Sequence, residues 1–207
     1  MRNYLRWLHL AGSEETCQGG YMKFVYVSGR RCLDFAGTLK YRSSARSEEL
    51  LTDPQRLSDW AIGAGLVDAP LEMTEDELEA AIAVREAIYR VVVAGLEGGK
   101  PDAADVDLLN AYASQPQLTP MLRPDGSVSR GGTVPQLLAS LAADLLDLYA
   151  GPDIGKVKKC SHSGCTRLYF DASRGQNRHW CGMSTCGNRA KVQAFRARRQ
   201  AAAAQPS

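Results

Sequence analysis

The sequence predicts a mainly α-helical fold, with a helical N-terminal domain that includes one small β-hairpin and a small cysteine-rich module after it. Apolar residues in the middle of the chain recur at three- and four-residue spacing, which is the period of helices that bury one face. Four of the six cysteines fall within residues 160–186, after Gly151-Pro152 has ended the helical part. We therefore expect four segments, which are an N-terminal extension (1–21), a helical domain (22–152), a cysteine-rich module with its own helix (153–200) and a tail (201–207).

The helical domain should begin with short elements. Residues 24–27 predict a short strand, and residues 31–39 follow with a helical pattern. Asp53 and Pro54 are typical of a helix N-cap and the first helical position after it. This second helix should end near Gly65.

The longest helix should begin after Thr74, which forms a capping-box pattern with Glu77. Its apolar residues lie three and four positions apart, and glycines at 95, 98 and 99 should end it. A further helix is predicted over residues 103–113.

A β-hairpin is predicted within residues 117–130, where Pro124-Asp125-Gly126 is a turn signal. Thr133 and Gln136 then form a second capping-box pattern, which opens a leucine-rich helix that ends at Gly151-Pro152.

Charge is distributed unevenly along the chain, although the net charge is only +2. Residues 156–199 contain eleven lysines and arginines and a single acid, Asp171. The remainder holds 14 basic and 22 acidic residues, so the acidic and basic parts should have different partners. The basic end suits a polyanion, and the alternative is a solvated tail that binds nothing in particular.

The composition bounds the class of protein. With 44% hydrophobic residues the chain can bury a core, and it contains no apolar run long enough to span a membrane. The apolar stretch near the N-terminus is short and is interrupted by Arg6, which is not typical of a signal peptide. We expect a cytoplasmic protein without a membrane partner.

The clustered cysteines predict a metal site. Cys160 and Cys165 are separated by four residues, Cys181 and Cys186 likewise, and fifteen residues separate the two pairs. Two tight loops of this kind can direct four thiolates at one point, which is the ligand set of a structural Zn²⁺. We expect one zinc per chain, with no open coordination position for catalysis.

Two alternatives to this ligand set remain open. His162 or His179 could replace a cysteine, although a single histidine beside four well-spaced cysteines is more often a bystander. A four-cysteine iron–sulfur cluster uses the same ligands. The isolated Cys17 and Cys32 are expected to be ordinary residues rather than redox sensors.

The segments around the cysteines predict a treble-clef-like finger. Residues 167–171 suggest a strand that returns through residues 179–180, and Ser184 is placed to cap a helix that begins near Thr185. A small apolar core beside the metal is expected from Phe170, Trp180 and Phe195. So few residues need the metal in order to fold.

The terminal helix is expected to bind nucleic acid, because its basic residues lie on most of its surface and acids are lacking. The candidate nucleic-acid-binding residues on the helix and on the preceding turn are Arg174, Arg178, Asn188, Arg189, Lys191, Arg196, Arg198 and Arg199. Some of these arginines could instead contact the acidic first domain.

Residues 159–199 resemble the CGNR zinc-finger family. The resemblance is carried by the literal Cys186-Gly187-Asn188-Arg189 within residues 181–191, by Trp180, and by the spacing of Cys160 and Cys165. The Phe170-Asp171-x-Ser173 segment matches the same signature.

The first domain resembles the ABATE domain, which usually precedes this finger. The matching stretches are residues 29–35, the Leu51-x-Asp53 helix start with Trp60, and residues 84–90. Family members often carry Asn-Thr shortly after the Asp-Phe of the first stretch, where this chain has Ala36-Gly37-Thr38. The resemblance implies a bacterial, stress-related transcription regulator with a helical sensor or partner domain and a DNA-binding finger.

Arg85 lies on the apolar face of the longest predicted helix, where a charge needs a partner, and Asp34 is the candidate. One interpretation is a buried ion pair that locks two helices. The other is a small-molecule effector pocket lined by residues among Arg30, Asp34, Thr38 and Arg85.

The function predicted from all of this is a zinc-dependent DNA-binding transcription regulator, which could act as a homodimer because one finger covers a short footprint. An RNA-binding module and a protein-interaction adaptor that uses the same basic finger are the alternatives. No catalytic signature is found, so we do not expect an enzyme.

Overall fold

The structure is a computed structural model that describes residues 23–203, so the expected extension (1–21), with Cys17, and the end of the tail (204–207) lie outside it. The helices are α1 (Arg31–Ala36), α2 (Pro54–Gly63), α3 (Glu75–Leu96), α4 (Ala103–Ala113), α5 (Val134–Ala150) and α6 (Asn188–Ala203). The strands are β1 (Leu39–Lys40), β2 (Glu48–Glu49), β3 (Met121–Leu122), β4 (Val128–Ser129), β5 (Val157–Lys159) and β6 (Leu168–Phe170). The strands pair in chain order as three antiparallel two-stranded sheets, so the fold is mainly helical, as predicted.

The helix starts follow the capping residues in the sequence. Asp53 accepts a hydrogen bond from the backbone N–H of Arg56 at the start of α2. Thr74 and Glu77 form a complete capping box at α3, and Thr133 forms the equivalent with Gln136 at α5. Each cap satisfies backbone donors that the first turn of a helix leaves unpaired.

Helices α1, α3, α4 and α5 pack together around the core of the first domain. The apolar face of α5 is buried along its whole length, and α3 buries Val84, Ile88 and Val92 in the same core. Trp60 of α2 is fully buried, with its ring 4.8 Å from that of Phe35. None of the described helices is long and apolar enough to cross a membrane.

Two short elements near the N-terminus differ from the prediction. Residues 24–27 form no strand, and α1 ends at Ala36 rather than near Leu39. Leu39 pairs instead with Glu49 in the β1–β2 hairpin. Each of these strands is two residues long, which is too short for an alternating pattern to be read from the sequence.

The predicted Arg85–Asp34 pair is wrong, because Arg85 pairs with Glu49. The guanidinium of Arg85, only 1% exposed, donates to both carboxylate oxygens of Glu49 at 2.6 and 2.7 Å and to Glu86 at 2.8 Å. Asp34 accepts hydrogen bonds from the backbone N–H groups of Val27 and Ser28 instead. The β1–β2 hairpin, which the prediction lacked, supplies the partner.

The β5–β6 hairpin joins the cysteine-rich module to the first domain. Val157 and Leu168 are almost fully buried and belong to the same apolar core as α1, α3 and α5. The backbone N–H of Phe170 donates to the carbonyl of Ser28 at 2.7 Å. The module is therefore packed on the first domain through its own hairpin, in addition to the covalent link at Gly151-Pro152.

Candidate metal centre and nucleic-acid surface

The first cysteine pair lies on a tight turn after β5. The backbone N–H of Cys165 donates to the carbonyl of His162 at 2.9 Å, and Gly164 has a φ of +79°. A side chain at that left-handed position is unfavourable, so the glycine permits the turn that brings Cys165 back beside Cys160.

The second pair flanks a π-helical turn over Met183–Gly187, which leads directly into α6. Gly182 occupies the N-cap position, and the backbone N–H of Gly187 donates to its carbonyl at 2.9 Å. The predicted cap at Ser184 is wrong, because Ser184 lies inside this turn. The hydroxyl of Thr185 donates to the Gly182 carbonyl and so closes the turn.

The four cysteine sulfurs converge. All four lie within 4.8 Å of one another, and Cys160, Cys181 and Cys186 are buried. Four sulfurs bound tetrahedrally to zinc at about 2.3 Å are about 3.8 Å apart, so the donor set fits one Zn²⁺ with little adjustment. The module is therefore a four-cysteine zinc finger, as predicted.

Hydrogen bonds within the centre favour a thiolate at Cys160. The backbone N–H of Cys181 lies 3.4 Å from the sulfur of Cys160 and donates to it. Hydrogen bonds from the thiols of Cys165, Cys181 and Cys186 hold the pKa of Cys160 well below its usual value. The same hydrogen bonds raise the pKa of Cys165 and Cys186, so the thiolate of the metal-free cluster is held at Cys160.

The histidine alternatives find no support in the geometry. The group that could hold a metal among the described residues contains the four cysteines and neither histidine. The Nδ1 of His162 lies 2.8 Å from the Ser163 carbonyl, and the ring of His179 packs 6.0 Å from that of Trp180.

The apolar support of the centre differs from the prediction. Tyr169, fully buried, packs with the cysteines, together with Trp180 and Val27. Phe170 contacts the core of the first domain instead, and Phe195 is 53% exposed on α6. Since residues alternate along β6, Tyr169 faces the metal and Phe170 the opposite side.

Asp171 organises the turn that follows β6, a role that the sequence pattern did not reveal. Its carboxylate, fully buried, accepts hydrogen bonds from Lys158 at 2.8 Å, from the hydroxyl of Ser173 at 2.6 Å and from the backbone N–H of Arg178 at 3.0 Å. These bonds, chiefly those from Lys158 and Ser173, hold the pKa of Asp171 well below its usual value. The only acid in the basic segment is therefore structural and neutralised.

Arg178, a predicted nucleic-acid contact, is turned into the finger. Its guanidinium donates to the carbonyls of Trp180, Cys181 and Val27 and stacks 4.6 Å from the centre of the Tyr169 ring. The Tyr169 hydroxyl donates to the Arg178 carbonyl, and burial raises the pKa of that tyrosine to about 12. Arg178 thus closes the finger around its metal loops.

Helix α6 presents the remaining basic residues to solvent. Every residue from 191 to 200 is exposed, and so are Asn188 and Arg189 at the helix start. The exposed candidates are Arg174, Asn188, Arg189, Lys191, Arg196, Arg198 and Arg199. Arg189 also donates to the hydroxyl of Tyr41 in the first domain at 2.8 Å, which fixes the beginning of the helix relative to that domain.

The four residues of the candidate effector pocket are engaged in separate contacts, except that Thr38 and Arg85 touch. Arg30 pairs with Asp144 and Asp147 of α5. Asp34 caps the backbone of residues 27–28, and Thr38 lies beside Arg85, 3.4 Å away. Cavities of about 470 and about 100 Å³ lie at the seam between domain and finger, and none of the four residues lines either of them. Cys32 is fully buried, and burial raises the pKa of its thiol.

Arg167 of the finger reaches into the first domain, and the sequence pattern did not identify it. It donates to the carbonyl of Val25 at 3.0 Å and to that of Gly37 at 3.3 Å, and it lies 4.0 Å from the carboxylate of Asp34. The signal available in the sequence was a basic residue directly before the apolar run Leu168-Tyr169-Phe170.

Two family models match the sequence, in agreement with the structural division. The model of the ABATE family, described as "Putative stress-induced transcription regulator", matches residues 29–152. The model of the CGNR zinc finger matches residues 156–199. No curated protein matches the chain significantly.

Proposed function

This chain belongs to the ABATE family and carries a CGNR zinc finger, and on that premise we propose that it is a zinc-dependent, DNA-binding transcription regulator. The observation that carries the proposal is helix α6, which the metal centre holds at its beginning and which exposes Lys191, Arg196, Arg198 and Arg199. A rigidly based helix with unneutralised cations suits the phosphate backbone of a duplex.

The zinc acts as a structural element in this proposal. Cys160, Cys165, Cys181 and Cys186 would hold it, and four protein ligands leave no position for a substrate. Metal binding fixes the π-helical turn and with it the direction in which α6 leaves the finger. DNA binding should therefore depend on zinc although no DNA contact is made by the metal.

Positions on α6 divide into two proposed roles. Lys191, Arg196, Arg198 and Arg199 contact phosphates, which position the protein without reading the sequence. Asn188, at the start of the helix, has the side-chain amide that pairs with adenine in the major groove. Arg189 is proposed to contact the DNA while it also donates to the hydroxyl of Tyr41.

The experiment is a binding titration of zinc-loaded protein with fluorescent duplex DNA of random sequence. Binding should weaken steeply with salt, because each phosphate contact releases counterions. Cys181→Ser should lose both zinc and binding, whereas Cys32→Ala, a thiol outside the metal group, should keep both. Binding that does not change between about 50 and 200 mM salt would contradict the proposal.

The helical domain is proposed to sense an effector or a partner protein. Its link to the finger is direct, since Arg167 and Arg189 bridge the two parts. An effector that alters the seam would change the orientation of α6. A homodimer would double the short footprint of one finger. Sedimentation of the DNA complex measures how many chains bind one duplex.

Structured RNA is the second candidate ligand, because exposed cations on α6 do not by themselves distinguish a DNA duplex from folded RNA. Competition between the two for the same protein separates them. Retention of a protein partner after nuclease treatment would instead favour the adaptor function.

A further inference from the structure

We propose that the nucleic-acid surface of the finger continues onto the first domain through the loop of residues 41–47, where Arg46 contacts the phosphate backbone of the duplex that α6 binds. This proposal rests on the DNA-binding function proposed above and extends its site to a residue outside the finger.

The loop is fixed against the finger beside the start of α6. The hydroxyl of Tyr41 accepts a hydrogen bond from Arg189 at 2.8 Å, and the backbone N–H of Arg42 donates to the hydroxyl of Thr166 at 3.3 Å. Both contacts join the first two residues of the loop to the segments that carry the metal ligands. A ligand that reaches Arg189 therefore lies close to this loop.

The conformation of the loop is defined by its own hydrogen bonds. Tyr41 adopts a left-handed backbone with φ of +53°, and the N–H of Ser44 donates to its carbonyl at 2.9 Å. The hydroxyl of Ser44 in turn accepts from the backbone N–H of Arg46 at 3.1 Å. The position of Arg46 relative to Tyr41 is thus set by a closed turn rather than by a free chain.

The loop keeps one positive charge, that of Arg46, after its other arginine has paired with a neighbouring acid. Residues 41–47 contain two arginines and no acid, and residues 43–47 are exposed. Of the arginines, Arg42 pairs with Glu86 at 3.0 Å. Among the residues that the structure describes, Arg46 has no ion-pair partner.

The acids closest in sequence are already neutralised. Glu48 pairs with Lys40 at 3.1 Å, and Glu49 pairs with the buried Arg85. A polyanion that approaches α6 therefore meets a continuing positive surface at the loop rather than an opposing acid. The exposed hydroxyls of Ser43 and Ser47 are further donors of the kind that bind phosphates.

Duplex DNA is the partner that suits this arrangement, since its phosphates extend in a regular array beyond the footprint of one helix. A surface formed by α6 and the loop can contact more phosphates than α6 alone. In such a complex the first domain contributes directly to affinity and also orients the finger.

The test compares full-length, zinc-loaded Arg46→Ala with Arg123→Ala in salt titrations on the same random duplex. Arg123 is a matched control because it is exposed on the β3–β4 hairpin, which lies beside Asp68 and Ser140 rather than beside the finger. Loss of one phosphate contact should reduce the slope of log K against log salt by about 0.9 and weaken binding at about 100 mM salt roughly fivefold. Arg123→Ala should change neither the salt slope nor the affinity.

A third variant separates failure of this inference from failure of the proposed function. If Arg196→Ala/Arg199→Ala weakens binding while Arg46→Ala behaves like Arg123→Ala, the loop proposal is overturned and DNA binding by α6 stands. If none of the variants, including the α6 pair, changes the salt slope, both proposals are overturned. If Arg46→Ala and the α6 pair both reduce the affinity and the salt slope, the shared surface is supported.

Discussion

Arg167 of the zinc finger packs its guanidinium against the backbone of Gly37, just after α1 of the first domain, and its Nη2 donates to the Gly37 carbonyl at 3.3 Å. The same guanidinium donates to the backbone carbonyl of Val25, which precedes α1. One finger side chain therefore contacts the first domain on both sides of α1. The finger and the domain share contacts through which a change in either can reach the other.

Substituting Gly37 by alanine should loosen this junction. The backbone of Gly37 is helical with φ of −75°, so alanine causes no backbone strain, but its Cβ would lie 2.9 Å from the Cζ of Arg167. We expect Gly37→Ala to lower the free energy of unfolding by about 1–3 kcal/mol, measured in urea. Gly155→Ala, where an added Cβ meets nothing within 4 Å, is the control and should be close to neutral.

The Arg85–Glu49 pair should be strongly coupled, whereas Arg85 and Asp34 should not be. Removing Glu49 leaves a buried guanidinium with only Glu86 as an ionic partner, so Glu49→Ala should cost about 3 kcal/mol in the free energy of unfolding. A double-mutant cycle in urea with Arg85→Met measures the coupling. If Arg85 were coupled as strongly to Asp34 as to Glu49, Glu49 would not be the specific partner of this guanidinium in solution.

Acid should weaken the contact between α3 and α4. Arg90 donates to both oxygens of Asp105 at 2.8 and 2.5 Å, and this holds the pKa of that carboxyl below its usual value. A pKa lowered in the folded state means that the pair stabilises the protein above the ordinary carboxyl pKa of 3.8, and that this stability is lost as the pH falls below that value.

Asp105→Asn should therefore be less stable than the wild type by up to about 1 kcal/mol at neutral pH. Urea titrations from neutral pH down to about pH 3 should show this difference shrinking below about pH 4. A difference that is constant with pH would mean that the ion pair is not the source of the effect.

Removal of zinc should affect the first domain as well as the finger. Val157 and Leu168, on the hairpin beside the metal, lie in the core of α1 and α5, so unfolding of the finger exposes part of that core. Hydrogen exchange after chelation should accelerate in β5 and β6 and also in α1. Unchanged exchange in α1 would indicate two independent units.

The sequence is informative where a short local pattern decides the structure. Capping residues such as Asp53 and Thr133 specify helix starts through hydrogen bonds three residues away, and these predicted starts are confirmed. The spacing of the four cysteines likewise predicts a metal centre, because tight turns bring each pair together without help from distant segments.

Long-range partners are harder to predict. Arg85 needs a partner, but the identity of that partner depends on the two-residue strands that place Glu49 beside it. Arg178 resembles a surface cation in the sequence, and only the folded turn around Asp171 directs it inward. A buried charge signals that a partner exists, while the fold decides which one it is.

The central claim is tested most directly by fluorescence anisotropy of a random-sequence duplex titrated with zinc-loaded protein and with Lys191→Ala/Arg196→Ala at several salt concentrations. We predict that the wild type binds with a steep negative salt slope, and that the double variant loses about 1.8 from that slope while keeping its zinc and its stability. Equal slopes for the two proteins would contradict the claim that helix α6 is the nucleic-acid-binding element.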